Sequence, residues 1–327
     1  MENLEHQFLE GLISTPSRHE TQASNSGKLL FYSSPQPQNP DDNSSLVATS
    51  YHPTFVPDYQ PTHICKPVCG LVLLQGSGRR KGPLICNPAK GKVRNLPKVP
   101  RKGINTPQGI YLGYDPIAKQ FKVLCLSMNN SLYSSPNTHW ILTLESGECS
   151  WRRLQPEFDF TENSGGADIG DINICINGIL YFKGWLEGSF VIVWFDVRSE
   201  KFGFINKGKP TYDYASPSTL FNYKDKLGIH CQVEYDLVLW VLEDAANHKW
   251  SKYSYELSPL GYAMATELMF VGMTSTGEIV YSWNSSVWFY NIKRDTVKRI
   301  SIEGLEGLEH PTFINTFVDY VENMKFL

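Results

Sequence analysis

No part of this chain stays apolar for long. The longest strongly apolar run, Phe190 to Phe195, is far short of the ~20 residues that a membrane-spanning helix needs. The first 27 residues are polar and contain no apolar core of the kind an export signal carries. Without an export signal, the Asn-x-Ser sequons at Asn43, Asn129 and Asn284 read as chance. Surplus charge is also scarce. A net charge of −3 gives no global pull towards nucleic acid or an anionic membrane. No paired cysteine framework is visible. The seven cysteines are odd in number and widely spaced, and some sit inside apolar runs such as Ile174-Cys175-Ile176, which suits reduced thiols in the cytoplasm or nucleus. Catalytic signatures are missing as well: there is no Gly-x-Ser-x-Gly, no His-Glu-x-x-His and no phosphate loop. After residue 27 no window keeps a 3.6-residue apolar period over three turns.

Aromatic residues are abundant, with 8 Trp, 17 Tyr and 17 Phe, and these side chains favour strands. From Lys28 onwards, short apolar runs alternate with clusters of Gly, Asn, Asp, Pro and Ser, the pattern of strands and turns. One hairpin-like element returns five times and closes at Val93, Trp151, Phe202, Trp250 and Val297, at intervals of about 50 residues. A very apolar strand precedes each copy, as in Leu71-Val72-Leu73-Leu74 and Val123-Leu124-Cys125-Leu126. The period predicts an all-β, kelch-like β-propeller over residues 28–327, with these apolar strands innermost. Leftover strands at Lys28–Ser33 and Thr312–Tyr320 make a sixth blade that joins the two ends. A two-domain β-sandwich explains the strands but not the period. Residues 1–27 form a separate, weakly structured N-terminal segment in this reading. Met1 to Ile13 are placed in one short helix, with Leu4, Phe8 and Leu12 on one face.

Several steps of the repeat carry a family resemblance. Ile85-Cys86-Asn87-Pro88-Ala89-Lys90-Gly91 followed by Asn95-Leu96-Pro97, Gly113-Tyr114-Asp115-Pro116 leading to Lys119-Gln120-Phe121-Lys122-Val123-Leu124, and Cys175-Ile176-Asn177-Gly178-Ile179-Leu180-Tyr181 are three of them. Phe195-Asp196-Val197-Arg198-Ser199-Glu200-Lys201-Phe202 and Leu239-Trp240-Val241-Leu242-Glu243-Asp244 with Trp250-Ser251 are two more. In this order they resemble the plant F-box-associated domain. The resemblance implies a domain that captures a substrate protein for a cullin-based (SCF-type) ubiquitin ligase. In that family an N-terminal F-box docks onto a Skp-family adaptor. Residues 1–27 lack the Leu-Pro-x-Asp/Glu-Leu opening of an F-box, and Phe8 to Arg18 read at most as the remnant of its tail. Two alternatives stand beside this reading: a stand-alone interaction propeller without adaptor docking, and a propeller hydrolase that pairs two acids from separate blades.

Candidate site residues come from local charge. Nine Lys/Arg and no Asp/Glu fall between Arg79 and Lys102. Arg79, Arg80, Lys81, Arg101 and Lys102 are the candidates there for contact with an acidic or phosphate-bearing partner. Interleaved Gly and Pro also fit the plainer reading of solvated loop tips. Asp168 and Asp171, in the Gly-rich stretch from Gly165, form an acidic loop with too few oxygen ligands for calcium. His63, Cys65, Cys69 and Cys86 lack the paired spacing of a zinc site. No catalytic, metal-binding or cofactor-binding residue is expected, nor contact with membrane or nucleic acid. His139, His230 and His248 have no nucleophile beside them in sequence, and Trp140, Trp151, Trp194, Trp240 and Trp250 are assigned to core packing. The contact face is placed on the loops after Gly76, after Tyr133, from Asp159 to Asp171 and from Tyr212 to Ser218.

Overall fold

Each repeat of the sequence becomes one antiparallel sheet, and its turns are built by a recurring device. An Asx side chain accepts backbone N–H groups two or three residues ahead, and the fourth residue on adopts a left-handed conformation. Asp196 accepts from Arg198 and Ser199, at 2.8 and 3.2 Å, and Glu200 has φ +59°. Asp115 does the same for Ile117 and Ala118 before Lys119 at φ +54°. Asp244 accepts from Asn247 before His248, and Asn291 from Arg294 before Asp295. In the first repeat Asn87 accepts from Lys90, and Gly91 takes the left-handed position.

The computed structural model describes residues 7–14, 28–35, 49–50, 54–55, 61–76, 82–100, 105–129, 137–145, 147–162, 173–206, 218–283, 286–301 and 313–324. Five blades are each cut from one continuous stretch of chain. The first orders Pro61–Ile64, Val72–Gly76, Leu84–Asn87 and Lys92–Asn95. The second orders Asn105–Asp115, Gln120–Asn129, His139–Leu144 and Arg152–Leu154. In the third, Thr161–Glu162 and Asn173–Ile176 both pair with Ile179–Leu186, followed by Ser189–Asp196 and Lys201–Ile205. The fourth orders Ser218–Tyr223, Lys226–Val233, Asp236–Asp244 and Lys249–Glu256, and the fifth Met269–Met273, Ile279–Trp283, Ser286–Asn291 and Thr296–Ser301. A further sheet draws on both ends of the chain: Phe313–Tyr320, Gln7–Ser14, Lys28–Pro35 and Thr49–Ser50, with Thr54–Phe55 also on Lys28–Pro35. The fold is an all-β propeller.

The chain forms two compact units. One comprises Met1–Arg94, Gln232–Val238 and Ser254–Leu327, and its core gathers Phe31, Ile64, Val72, Leu74, Leu84, Cys86, Phe317 and Tyr320. The other comprises Asn95–Cys231 and Leu239–Tyr253. Its core is aromatic as well as aliphatic, with Tyr111 stacked on Phe182 at 5.5 Å and Phe160 between Phe182 and Phe202. None of the helices among the described residues is long and apolar enough to cross a membrane.

Four expectations are corrected. Gln7–Ser14 is a strand, not part of a helix: it pairs with Lys28–Pro35 along one edge and Phe313–Tyr320 along the other. A lone helix of that length is marginal in water, whereas a strand between two partners satisfies its backbone groups on both sides. The very apolar strands are not at the end of their sheets. Val72–Gly76, Gln120–Asn129, Ile179–Leu186, Lys226–Val233 and Ile279–Trp283 each lie second, with strands along both edges. That position alone explains their apolar texture. A helix, Pro259–Glu267, falls where no helical period was visible. It is short and buries only Gly261 and Met264, but Ser258 caps it by accepting the Gly261 N–H, and Pro259 opens it. Finally, the five tryptophans are half-buried rather than core. Trp194 lies over Gly203, where an added Cβ would meet the indole at 2.1 Å, and Trp151 donates to the Pro97 carbonyl at 2.8 Å.

Candidate functional site

Arg79, Arg80, Lys81, Arg101, Lys102, Asp168 and Asp171 all lie outside the described residues. So do most of the loops expected to form the contact face. Of the basic segment, Lys92 and Lys98 are exposed, while Lys90 and Arg94 are half-buried around the hairpin that ends the first blade. The start of the acidic loop is anchored rather than free. Buried Asn137 donates to the Asp159 carboxylate at 2.8 Å and to the Phe160 carbonyl at 2.9 Å, and Phe160 is buried. Asp159 is therefore a structural acceptor.

Cys65 and Cys86 are buried and not joined in a disulfide, and Cys69 is exposed. Among the described residues no group of three His, Cys, Asp or Glu is placed to hold a metal. Two histidines are interior. Burial pushes His139 down to about 4 and His230 down to about 3. His139 accepts the Ser127 N–H through Nδ1 and packs against Phe160 and Phe202, an environment that keeps the imidazole neutral. His248 accepts the Asn206 N–H and stacks on Phe204. The acids also differ from the pattern that a glycosidase acid needs, a carboxyl raised above its usual range. Glu200, Glu243 and Asp244 are the described carboxyls with shifts, and all three are lowered.

Glu200 is the centre of one charged cluster. Its carboxylate takes the Lys122 ammonium at 2.7 Å and the Arg152 guanidinium on the other oxygen. Burial alone would raise the Glu200 carboxyl, but the bonds from Arg152 and Lys122 outweigh it and hold the group below its ordinary value. Lys122 and Arg152 belong to the second blade, and Glu200 to the turn of the third. With two cations sharing one carboxylate, this cluster is a clasp between sheets.

A different arrangement occupies the surface of the first compact unit. Glu234, left-handed at φ +51°, makes the turn that presents Tyr235. The Tyr235 carbonyl is fixed by the Leu257 N–H at 2.9 Å, while its side chain is 64% exposed. Its ring lies 4.8 Å from that of Tyr262, which the capped helix supplies. Glu234, next to Tyr235 in the chain, and Glu256, next to Leu257, are exposed, and half-buried Asp236 accepts from Ser254 Oγ at 2.9 Å. Leu260, Met269 and Trp283 are further exposed apolar side chains of the same unit. Sequence reading missed this surface. Its signal is a stretch without a single Lys or Arg between Lys252 and Lys293, holding Glu256, Glu267 and Glu278.

Residues 19–321 match the F-box associated beta propeller domain. Among curated proteins of Arabidopsis thaliana, F-box protein At1g53790 is 38% identical over 319 residues, which span 92% of this chain and 68% of that protein. Putative F-box protein At1g53370 is 39% identical over 317 residues, 92% of this chain and 77% of the relative. F-box protein DOR is 35% identical over 326 residues, 92% and 79%. A family match across most of the blades, and relatives aligned over nearly the whole chain, lead to one assignment: the chain belongs to the F-box-associated β-propeller family.

Proposed function

We propose that this chain is a protein-recognition propeller, the substrate-binding part of an adaptor for an SCF-type ubiquitin ligase, acting in the cytoplasm or nucleus without a cofactor. The observation that carries the reading is the alignment of F-box proteins over 92% of the chain. Mechanistically the reading asks for little. A rigid set of sheets presents loops and turns, and binding follows from their complementarity to a partner. The basic residues Arg79 to Lys81, Arg101 and Lys102, and the acidic pair Asp168 and Asp171, remain proposed contacts.

A second reading has one observation in its favour. It keeps recognition but omits docking to the Skp-family adaptor. Gln7–Ser14 is paired along both edges in the sheet that joins the chain ends, so this segment is committed to the propeller and would have to leave it to serve in an adaptor-binding helix.

A pull-down of the full chain on a purified Skp-family adaptor, beside a relative with an intact F-box, separates the two. Binding equal to that of the relative supports the ligase adaptor. Binding by the relative alone removes the ligase connection and leaves a stand-alone recognition propeller.

A further inference from the structure

Three half-buried aromatic rings on this chain are each covered by one of its own cations. Arg299 sits over Trp288 at 5.3 Å, Lys252 over Trp240 at 5.9 Å, and Lys224 over Tyr223 at 5.9 Å. In each case a positive charge meets the negative face of a ring. Tyr235 has a different setting. It is more than half exposed, and its ring partner is another ring, that of Tyr262. Glu234 and Asp236, which flank Tyr235 in the chain, and Glu256, which precedes Leu257, are all negative, and none of them forms an ion pair among the described residues. The rings are also held in place. Tyr235 is pinned through its carbonyl by Leu257, and Tyr262 through its N–H, which donates to the Ser258 carbonyl at 2.8 Å in the first turn of the helix. A preset pair of rings loses little freedom when it binds.

We infer that Tyr235 and Tyr262, with Glu234, Asp236 and Glu256 around them, form a docking point for an arginine side chain carried by a segment of a partner protein. The inference rests on protein recognition being the function. Three features select the occupant. The open face of Tyr235 accepts a flat cation, and guanidinium stacks on aromatic rings better than ammonium. The carboxylates offer acceptors for the outward-facing N–H groups of the guanidinium. The stretch from residue 253 to residue 292, which supplies Tyr262 and Glu256, contains no Lys or Arg, so it adds no positive charge of its own to oppose a basic segment. Exposed Leu260 adds apolar surface on the helix that carries Tyr262.

The test uses the full chain and fluorescein-labelled octapeptide pools. One position is fixed as Arg, Lys, Glu or Leu and the others are randomised, with binding read by anisotropy. The expected result is that the Arg pool binds at least tenfold more tightly than the Glu and Leu pools, and more tightly than the Lys pool. Tyr235→Ala should abolish the preference, Tyr235→Phe should keep it, and the double variant Glu234→Gln/Glu256→Gln should weaken it and flatten its salt dependence. Because Tyr235 is exposed, Tyr235→Ala should melt as the parent does. Equal binding of all pools, no binding of any pool, or an Arg preference that survives Tyr235→Ala overturns the site. Adaptor capture with indifferent pools sinks this site and leaves the recognition reading standing. An Arg preference without adaptor capture sinks the ligase connection and leaves the site.

Discussion

Lys122 Nζ lies 2.7 Å from Glu200 Oε1, and the lysine side chain is only 8% exposed. A buried ammonium tolerates that position only while its counter-charge is present. Glu200→Ala should therefore destabilise the chain by about 3 kcal/mol, the cost of stranding one partner of a buried ion pair. Arg152→Ala should cost far less, because its side chain is half exposed and such pairs contribute about 1 kcal/mol or less. Urea denaturation of the two variants checks the order, and equal losses would contradict the clasp.

The same carboxylate gives a pH dependence. The Glu200 carboxyl is lowered in the folded chain, so its contribution to stability is fully present above the unfolded-state value. That contribution is lost as pH falls through the folded one. Glu200→Gln should be less stable than the parent at pH 7, and the gap should close in acid. The measurement is the urea midpoint from pH 7 to pH 3.

Interior histidines act over a higher window. His139 and His230 titrate at about 4 and about 3 when folded, well below the ordinary 6.5. Between pH 6.5 and 4 the unfolded chain takes protons that the folded chain does not, so stability falls with pH by about 1.4 kcal/mol per unit for each histidine. Below its folded value each contribution levels off. His139→Gln should lower the slope of stability against pH in that window by about half.

Glycine at 203 is required by its neighbour. An added Cβ there would lie 2.1 Å from the Trp194 ring, whereas one at Gly147 would meet nothing within 4 Å. Gly203→Ala should cost about 1–3 kcal/mol through overpacking, and Gly147→Ala should be near neutral. Thermal melts of the pair decide it.

Ser258 has two tasks. Its hydroxyl accepts the Gly261 N–H at 3.1 Å and donates to Asp295 at 2.6 Å, and Asp295 also receives the Tyr290 hydroxyl at 2.9 Å. Ser258→Ala should cost about 1–2 kcal/mol, the range for loss of a helix cap. Ser258→Asp, which restores the cap but sets a carboxylate against Asp295, should recover less than Ser258→Thr. Hydrogen exchange of the Gly261 amide reports the cap directly.

Legibility followed the strength of local patterning. The hairpin closings at Val93, Trp151, Phe202, Trp250 and Val297 fall at the last strand of each blade, because Asx turns and alternating aromatics are written locally. The rank of a strand within its sheet is not local: Leu73 and Leu124 look alike whether a strand lies at an edge or inside, so the second strands read as innermost ones. Gln7–Ser14 misled because Phe8 and Leu12 satisfy a helical spacing as well as a strand, and its partners lie far away at Phe313–Tyr320. The helix at Pro259 has an apolar face too small for a periodic signal, although Ser258-Pro259 marks its start. Charge pointed to Arg79 and Asp168, while Tyr235 escaped notice because its signal is a missing charge rather than a present one.

The pairing of Gln7–Ser14 with Phe313–Tyr320 also sets a clock. The ribosome makes Gln7–Ser14 before the five single-stretch blades and Phe313–Tyr320 after them. Lys28–Pro35 can cover one edge early, but the other edge stays bare until all five intervening blades have been made. An uncovered strand edge recruits strands from other chains, so the interval of synthesis is when this molecule is most exposed to aggregation. The meeting of two strands far apart in the sequence, rather than the folding of any single blade, completes this sheet.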